Sequence, residues 1–186
     1  AAAFEEDAAF GFEEVTSQDL QIPFVRIAQK LSPQLSKNDP AFISGISVGD
    51  IFNTVTKQWW EADEGVVVLP VHFQMKFLEF IPRAQGGGFQ GELAADSHEV
   101  LSAVRNKETG MELLSNGNEL VRTAQHYVKI VHEDGSLENA IVDMKKSQLK
   151  KSRQWLTQMT MKKHRGKLMP SFANSYRLKS VEEKNE

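Results

Sequence analysis

The chain has 186 residues, which makes one domain or one domain with appendages. It has no cysteine, which excludes structural disulfides, thiolate metal sites and thiol catalysis and suits a reducing compartment. The formal net charge of −3 hides a polarity: 22 of the 25 acids precede Met144, whereas residues 144–181 hold 11 of the 22 bases and no acid.

No apolar run approaches the ~18 residues of a membrane span. The acidic, Ala-rich start does not read as a secretory signal. Residues 1–16 carry Phe4, Phe10 and Phe12 among their acids. They are expected to form a flexible acidic arm, either a disordered leader or an interaction segment. Residues 17–186 are then a single domain.

Pro23 argues against a helix running through residues 19–31, and residues 24–28 fit a strand. A short helix with Pro23 in its first turn is the alternative. Residues 32–40 are a polar loop, and residues 42–50 fit a short strand and a turn. Residues 50–92 are the centre of the sequence. β-Branched and aromatic residues dominate them, and turn residues interrupt at short intervals, the pattern of consecutive antiparallel strands. Residues 61–65 fit a hairpin loop. Pro70 demotes its position to an edge or a bulge. Phe73, Met75, Phe77, Glu79 and Ile81 alternate with Gln74, Lys76, Leu78 and Phe80, so one face mixes aromatics with a lysine.

Gly86-Gly87-Gly88 lacks a Lys-Ser/Thr ending and GxGxxG spacing. A long β-loop is expected there rather than a nucleotide-binding loop, with Arg83 beside it as a phosphate contact. Residues 97–107 read as a short helix capped by Ser97, and residues 111–118 as a connection. Residues 120–132 alternate as a strand, Asp134-Gly135 marks a hairpin, and residues 137–144 return. Residues 145–163 form the clearest helix, with Ser147 as candidate N-cap and a Leu149, Ser152, Leu156, Met159 stripe flanked by Trp155. Residues 171–179 give a last strand. The expected class is mostly β (β+α), with six or seven strands and two helices: an OB-like antiparallel barrel with extensions and one long basic helix.

His126 and His132 share a strand but sit about 20 Å apart, too far to share a metal. HExxH, DxD, two-carboxylate and serine-nucleophile signatures are missing, so neither an enzyme nor a metal or other cofactor is expected. Glu79 in an apolar strand is a candidate for a shifted pKa. Two non-enzymatic functions fit. In the first, aromatic strands and the basic block make a groove for single-stranded nucleic acid. Trp59, Trp60, Phe80, Tyr127 and Trp155 are stacking candidates, each with core packing as its alternative. Lys76, Arg83, Lys145, Lys146, Lys150, Lys151, Arg153, Lys162, Lys163 and Arg165 are phosphate candidates. In the second, the charge polarity drives packing in a viral structural or assembly protein.

Residues 19–24, Leu31-Ser32-Pro33-Gln34, Gly49-Asp50-Ile51-Phe52-Asn53, Leu69-Pro70-Val71, Phe80-Ile81-Pro82-Arg83 and Gly86-Gly87-Gly88-Phe89 resemble a family of tailed-phage proteins. Its members are described as single-stranded DNA-binding proteins with an OB-like fold. The likeness covers most of the chain from Gly11 on. It implies sequence-nonspecific binding of single-stranded DNA in phage replication or recombination, in the host cytoplasm, with phage replication proteins and oligomerisation as further expectations. Such proteins commonly end in an acidic tail. This chain stops at Val181-Glu182-Glu183-Lys184-Asn185-Glu186, so that tail is short, cut off or replaced by the acidic N-terminus.

Overall fold

The computed structural model describes residues 12–16 and 19–182. The acidic arm expected over residues 1–16 falls, up to Gly11, outside them. The described chain is mostly β. Its elements are β1 (Phe24–Ile27), β2 (Ile51–Asn53), β3 (Trp59–Trp60), β4 (Val66–Phe80), β5 (Phe89–Leu93), α1 (His98–Leu101), β6 (Val104–Arg105), β7 (Glu112–Leu113), β8 (Glu119–Val131), β9 (Leu137–Lys145), α2 (Leu149–Met161), β10 (Lys163–His164), β11 (Lys167–Leu168) and β12 (Tyr176–Leu178).

One sheet runs in the order β12-β4-β8-β9-β1-β2-β3, and β10 pairs with β11 as a separate hairpin. The path is open: β12 and β3 are its two ends. All pairs are antiparallel except β1 with β9. Beyond the body of the sheet, the far ends of β4 and β8 continue as an arm that β5 and β7 widen.

Local chemistry accounts for these strands. Val66-Val67-Val68 supplies the stiff β-branched start of β4. Pro70 stays within β4 at a bulge, where the register with β8 shifts between Pro70 and His72. At the β8–β9 turn, Asp134 accepts from the Ser136 N–H (2.9 Å) and hydroxyl (2.6 Å), and Gly135 takes φ 82°. Fully buried Asn53 accepts from the Val55 and Thr56 N–H groups, which closes the β2–β3 turn. Its own amide donates to Glu138 at 2.6 Å, which ties that turn to β9.

The main core lines the inner face of the curled sheet: Val25, Ile51, Val66, Val68, Val128, Ile130, Ala140 and Val142, with Trp155 of α2 as the plug. Each such aliphatic side chain contributes roughly 1.5–3 kcal/mol on burial. Trp155 stacks on His126 at 4.5 Å, and His126 Nε2 meets Ser152 Oγ at 2.8 Å, both residues being fully buried. A smaller cluster (Ala28, Ile43, Phe52) packs under β2, and a third (Val100, Leu114, Leu120) holds the arm together.

Several expected boundaries move. The main sheet alone has ten strands, because short pairings such as β6 with β7 are too brief to leave a period in the sequence. The helix expected over residues 97–107 is a single turn. Ser97 does cap it, accepting from the Val100 N–H at 3.3 Å. The chain then extends to pair with β7, and Val104 is exposed instead of buried on a helical stripe. Residues 42–50 form no strand; turns carry Ile43 into its cluster. Ser147 does not cap α2: it sits in a 3-10 turn, and the cap position is Gln148, without a side-chain bond. The last strand is only Tyr176–Leu178, and Phe172 lies exposed in the turn before it.

Two expectations test this packing. Gly65 has φ 70°, and a Cβ there would overlap the Leu178 carbonyl oxygen of β12. Gly65→Ala should cost about 1–3 kcal/mol or more, read as a lower denaturant midpoint with early amide exchange in residues 176–178. Burial pushes His126 down from 6.5 to about 4. The folded state therefore keeps it neutral while the unfolded chain takes up a proton below its ordinary pKa. Stability is full above pH 6.5 and falls by up to about 3 kcal/mol as the pH drops towards 4. Thermal melts across that window should show a fall that His126→Gln flattens.

Candidate nucleic-acid interface

The alternation of β8 sends its even-numbered side chains from Ala124 to Ile130 into the core and its odd-numbered ones to the opposite, outer face. The register with β4, β9 and β1 then builds three rows across that face. The first is His72, Tyr127, Ile141 and Phe24. The second is Gln74, Gln125 and Asp143, and the third is Lys76, Thr123 and Lys145. Rows on one face lie about 7 Å apart. His72 and Gln74 are exposed, and Tyr127 is half-buried with its ring 5.5 Å from that of His72. Gln125 donates to Asp143 at 3.0 Å, and Lys129 donates to Asn139 at 3.0 Å. Ile141 and Thr123 are themselves buried within their rows, so the surface presents His72, Tyr127 and Phe24, then Gln74, Gln125 and Asp143, then Lys76 and Lys145.

The lysine row leads directly into the base-only block, because Lys145 ends β9 and α2 follows after one turn. Lys150 and Arg153 are exposed and share a shallow depression on the outer side of α2 with Gln154, Thr157 and Gln158. Lys151 is exposed too, but lines a different cleft beneath the helix. Lys146 pairs with Glu119 at 3.0 Å. Lys163 belongs to the β10–β11 hairpin and Arg165 to its turn, where Arg165 takes φ 49° and Gly166 φ 77°. Lys162 stands 4.8 Å over the Tyr176 ring.

The aromatic candidates separate sharply. Trp155 is only 6% exposed and belongs to the core, so its ring is not available to a base. Trp59 packs on the Ala28, Ile43, Phe52 cluster and Trp60 on the main core. Phe80 packs against exposed Phe89, ring centres 5.5 Å apart, in the arm near Arg83. Tyr127 alone among the five lies on the sheet face that also carries lysines. Lys76 gives both short contacts of its ammonium, 2.7 and 2.9 Å, to Glu92, so its charge is offset there.

The Gly-rich loop is a β4–β5 connection that serves its own turn. The Gly86 and Gly87 N–H groups donate to the carbonyls of Arg83 and Pro82, which leaves those donors unavailable to a phosphate. Glu79 is shifted, but downward: hydrogen bonds from Asn118 (2.6 Å) and Asn116 (2.7 Å) favour its charged form. It is a structural acceptor rather than a proton carrier. Among the described residues no cluster of three His, Asp or Glu could hold a metal, and no helix is long and apolar enough to cross a membrane.

His72, Gln74, Gln125 and Lys129 are members of the outer face that sequence patterning alone did not single out. The only signal for them is strand alternation, and it needs the cross-strand register to place them beside Tyr127 and Lys145.

No curated protein and no solved structure matches the chain. A family model described as Pam3 phage gp34-like protein matches residues 1–186. The chain is therefore a bacteriophage protein and belongs to the Pam3 phage gp34-like family along its whole length.

Proposed function

We propose that this protein binds single-stranded DNA with little sequence preference and serves phage DNA replication or recombination in the host cytoplasm. The observation that carries this is the continuity of the outer sheet face, with Tyr127 and Lys145, and the base-only segment that follows it. Stacking on an aromatic ring contributes ~1–3 kcal/mol per base and tolerates any base. Phosphate contacts from lysine and arginine carry no sequence information.

The connectivity supports an OB-like reading. Strands β4, β8 and β9 form an antiparallel meander, α2 follows the third strand, and β12 returns antiparallel to the first. β1 lies beside the third strand, in the place of a fifth. OB folds are partly open barrels that bind oligonucleotides on the face of their second and third strands. Here those strands are β8 and β9, which carry the middle of all three rows.

Anisotropy titration with oligo-dT and with mixed-sequence strands should give similar affinities and a steep salt dependence, log K falling with log salt by ~0.7 for each phosphate neutralised. Lys150→Glu with Arg153→Glu should weaken binding tenfold or more while melting changes little, since exposed charges contribute at most about 1 kcal/mol to stability. Tyr127→Ala should cost ~1–3 kcal/mol of binding. No binding at low salt, or assembly that depends on protein concentration without DNA, would favour a structural role in the particle instead.

Residues 1–14 hold Glu5, Glu6, Asp7, Glu13 and Glu14 and no base. Exposed opposite charges attract weakly and are screened within about 8 Å at physiological salt. Deletion of residues 1–14 should therefore tighten DNA binding severalfold at low salt and leave the melting temperature nearly unchanged. Weaker binding after the deletion would make that segment a DNA contact.

A further inference from the structure

Between β12 and β1, beneath α2, lies a cleft of about 550 Å³. Its lining includes the apolar side chains Val25, Ile51, Met144, Trp155 and Leu178. Two independent features show what it is shaped to receive.

The first is a strand edge. β12 pairs with β4 on one side only. Beyond it the Ser180 N–H donates to the Ala62 carbonyl on that same side. Along an extended chain alternate residues point their N–H and C=O to opposite sides. Arg177 and Lys179 therefore turn theirs away from β4, on the side that the cleft borders, without a backbone partner among the described residues. The second is Trp155. It is 6% exposed and lines the cleft, and its buried Nε1 has no acceptor among the described residues. Buried indole N–H groups ordinarily have a partner.

Charge selects among ligands. Arg26, Arg177 and Lys179 are basic members of the lining, against one carboxylate among the described residues, Asp143, which already accepts from Gln125. Arg177 also reaches the Glu64 carbonyl at 3.0 Å. A nucleic acid cannot match a row of alternating backbone donors and acceptors, whereas an added strand does so at every second residue.

We propose that this cleft docks an extended acidic segment of a partner protein. The segment adds to the free edge of β12, sets its apolar side chains on the cleft floor, and gives an oxygen to Trp155 Nε1. Its acidic side chains face Arg177 and Lys179. The β12 edge and Trp155 lie off the outer sheet face, while Asp143 and Lys179 belong also to the surfaces assigned to DNA.

The test uses the full chain and a fluorescein-labelled seven-residue peptide of alternating valine and glutamate, with a valine–lysine peptide and oligo-dT as controls. Trp155→Phe assigns the Trp155 indole N–H signal among the three tryptophans. The acidic peptide should bind and move that signal downfield, and the basic one should do neither. Lys179→Glu should weaken the peptide at least threefold, and by a larger factor than it weakens oligo-dT. If Trp155→Phe remains folded it should weaken the peptide as well. The proposal is overturned if the acidic peptide fails to bind at millimolar concentration, or binds without moving the Trp155 signal. It is equally overturned if oligo-dT moves that signal, which would make the cleft a nucleic-acid groove. A signal that moves on dilution, or on deletion of residues 1–14, without any peptide would assign the cleft to a second copy or to the chain's own arm.

Discussion

The antiparallel ladder between β4 and β8 carries almost everything else in the molecule. It runs from Val68 opposite Ile130 to Phe80 opposite Glu119, interrupted once at the Pro70 bulge. Because side chains alternate at each step, this one register sends Val128 and Ile130 into the core and sets Tyr127 and Gln125 on the outer face. A slip of one residue would exchange the two sets. The bulge matters to both: it adds a residue at Val71, so that His72 rather than Val71 comes opposite Tyr127.

The inner face shows how a mostly β chain accommodates a basic helix. Only Ser152 and Trp155 of α2 are buried, and both meet His126. The helix therefore docks through one aromatic ring and one polar pair, with Met159 packed partly buried on the same core, while Lys150 and Arg153 remain in solvent. His126 is held neutral by its burial, and the Ser152 hydroxyl satisfies the Nε2 that a purely apolar pocket would leave unpaired. A helix so sparsely anchored can present a strongly charged surface without carrying those charges into the core.

The charge polarity of the chain becomes a spatial one for the same reason. Most acids of the described sheet have partners: Glu92 with Lys76, Glu112 with Arg122, Glu119 with Lys146, Glu138 with Asn53 and His132, Glu79 with Asn116 and Asn118. Residues 144–181 contain no acid of their own, so their field is set by α2 and the β10–β11 hairpin. That field sits beside two different surfaces, the outer sheet face and the cleft at the free edge of β12.

Much of this was legible in the residues themselves. The β character of residues 66–80, the Asp134-Gly135 turn, the irregularity at Pro70 (an edge or a bulge) and the helix around Trp155 follow from local sterics, side-chain periodicity and turn chemistry, which act over a few residues. The base-only block is visible by counting. What stayed hidden depends on contacts between distant positions. Taken singly, Trp155, Trp59 and Trp60 read more readily as core than as stacking surfaces, but the residues do not decide it, because a tryptophan's fate is set by what packs on it. Residues 97–107 keep a helical pattern that loses to pairing of β6 with β7. The rows on the outer face and the open seam between β12 and β1 join positions as distant in the chain as Phe24 and Ile141 or Val25 and Leu178. Only the tertiary structure decides them, because strand register and sheet closure are properties of paired backbones and not of any one stretch of sequence.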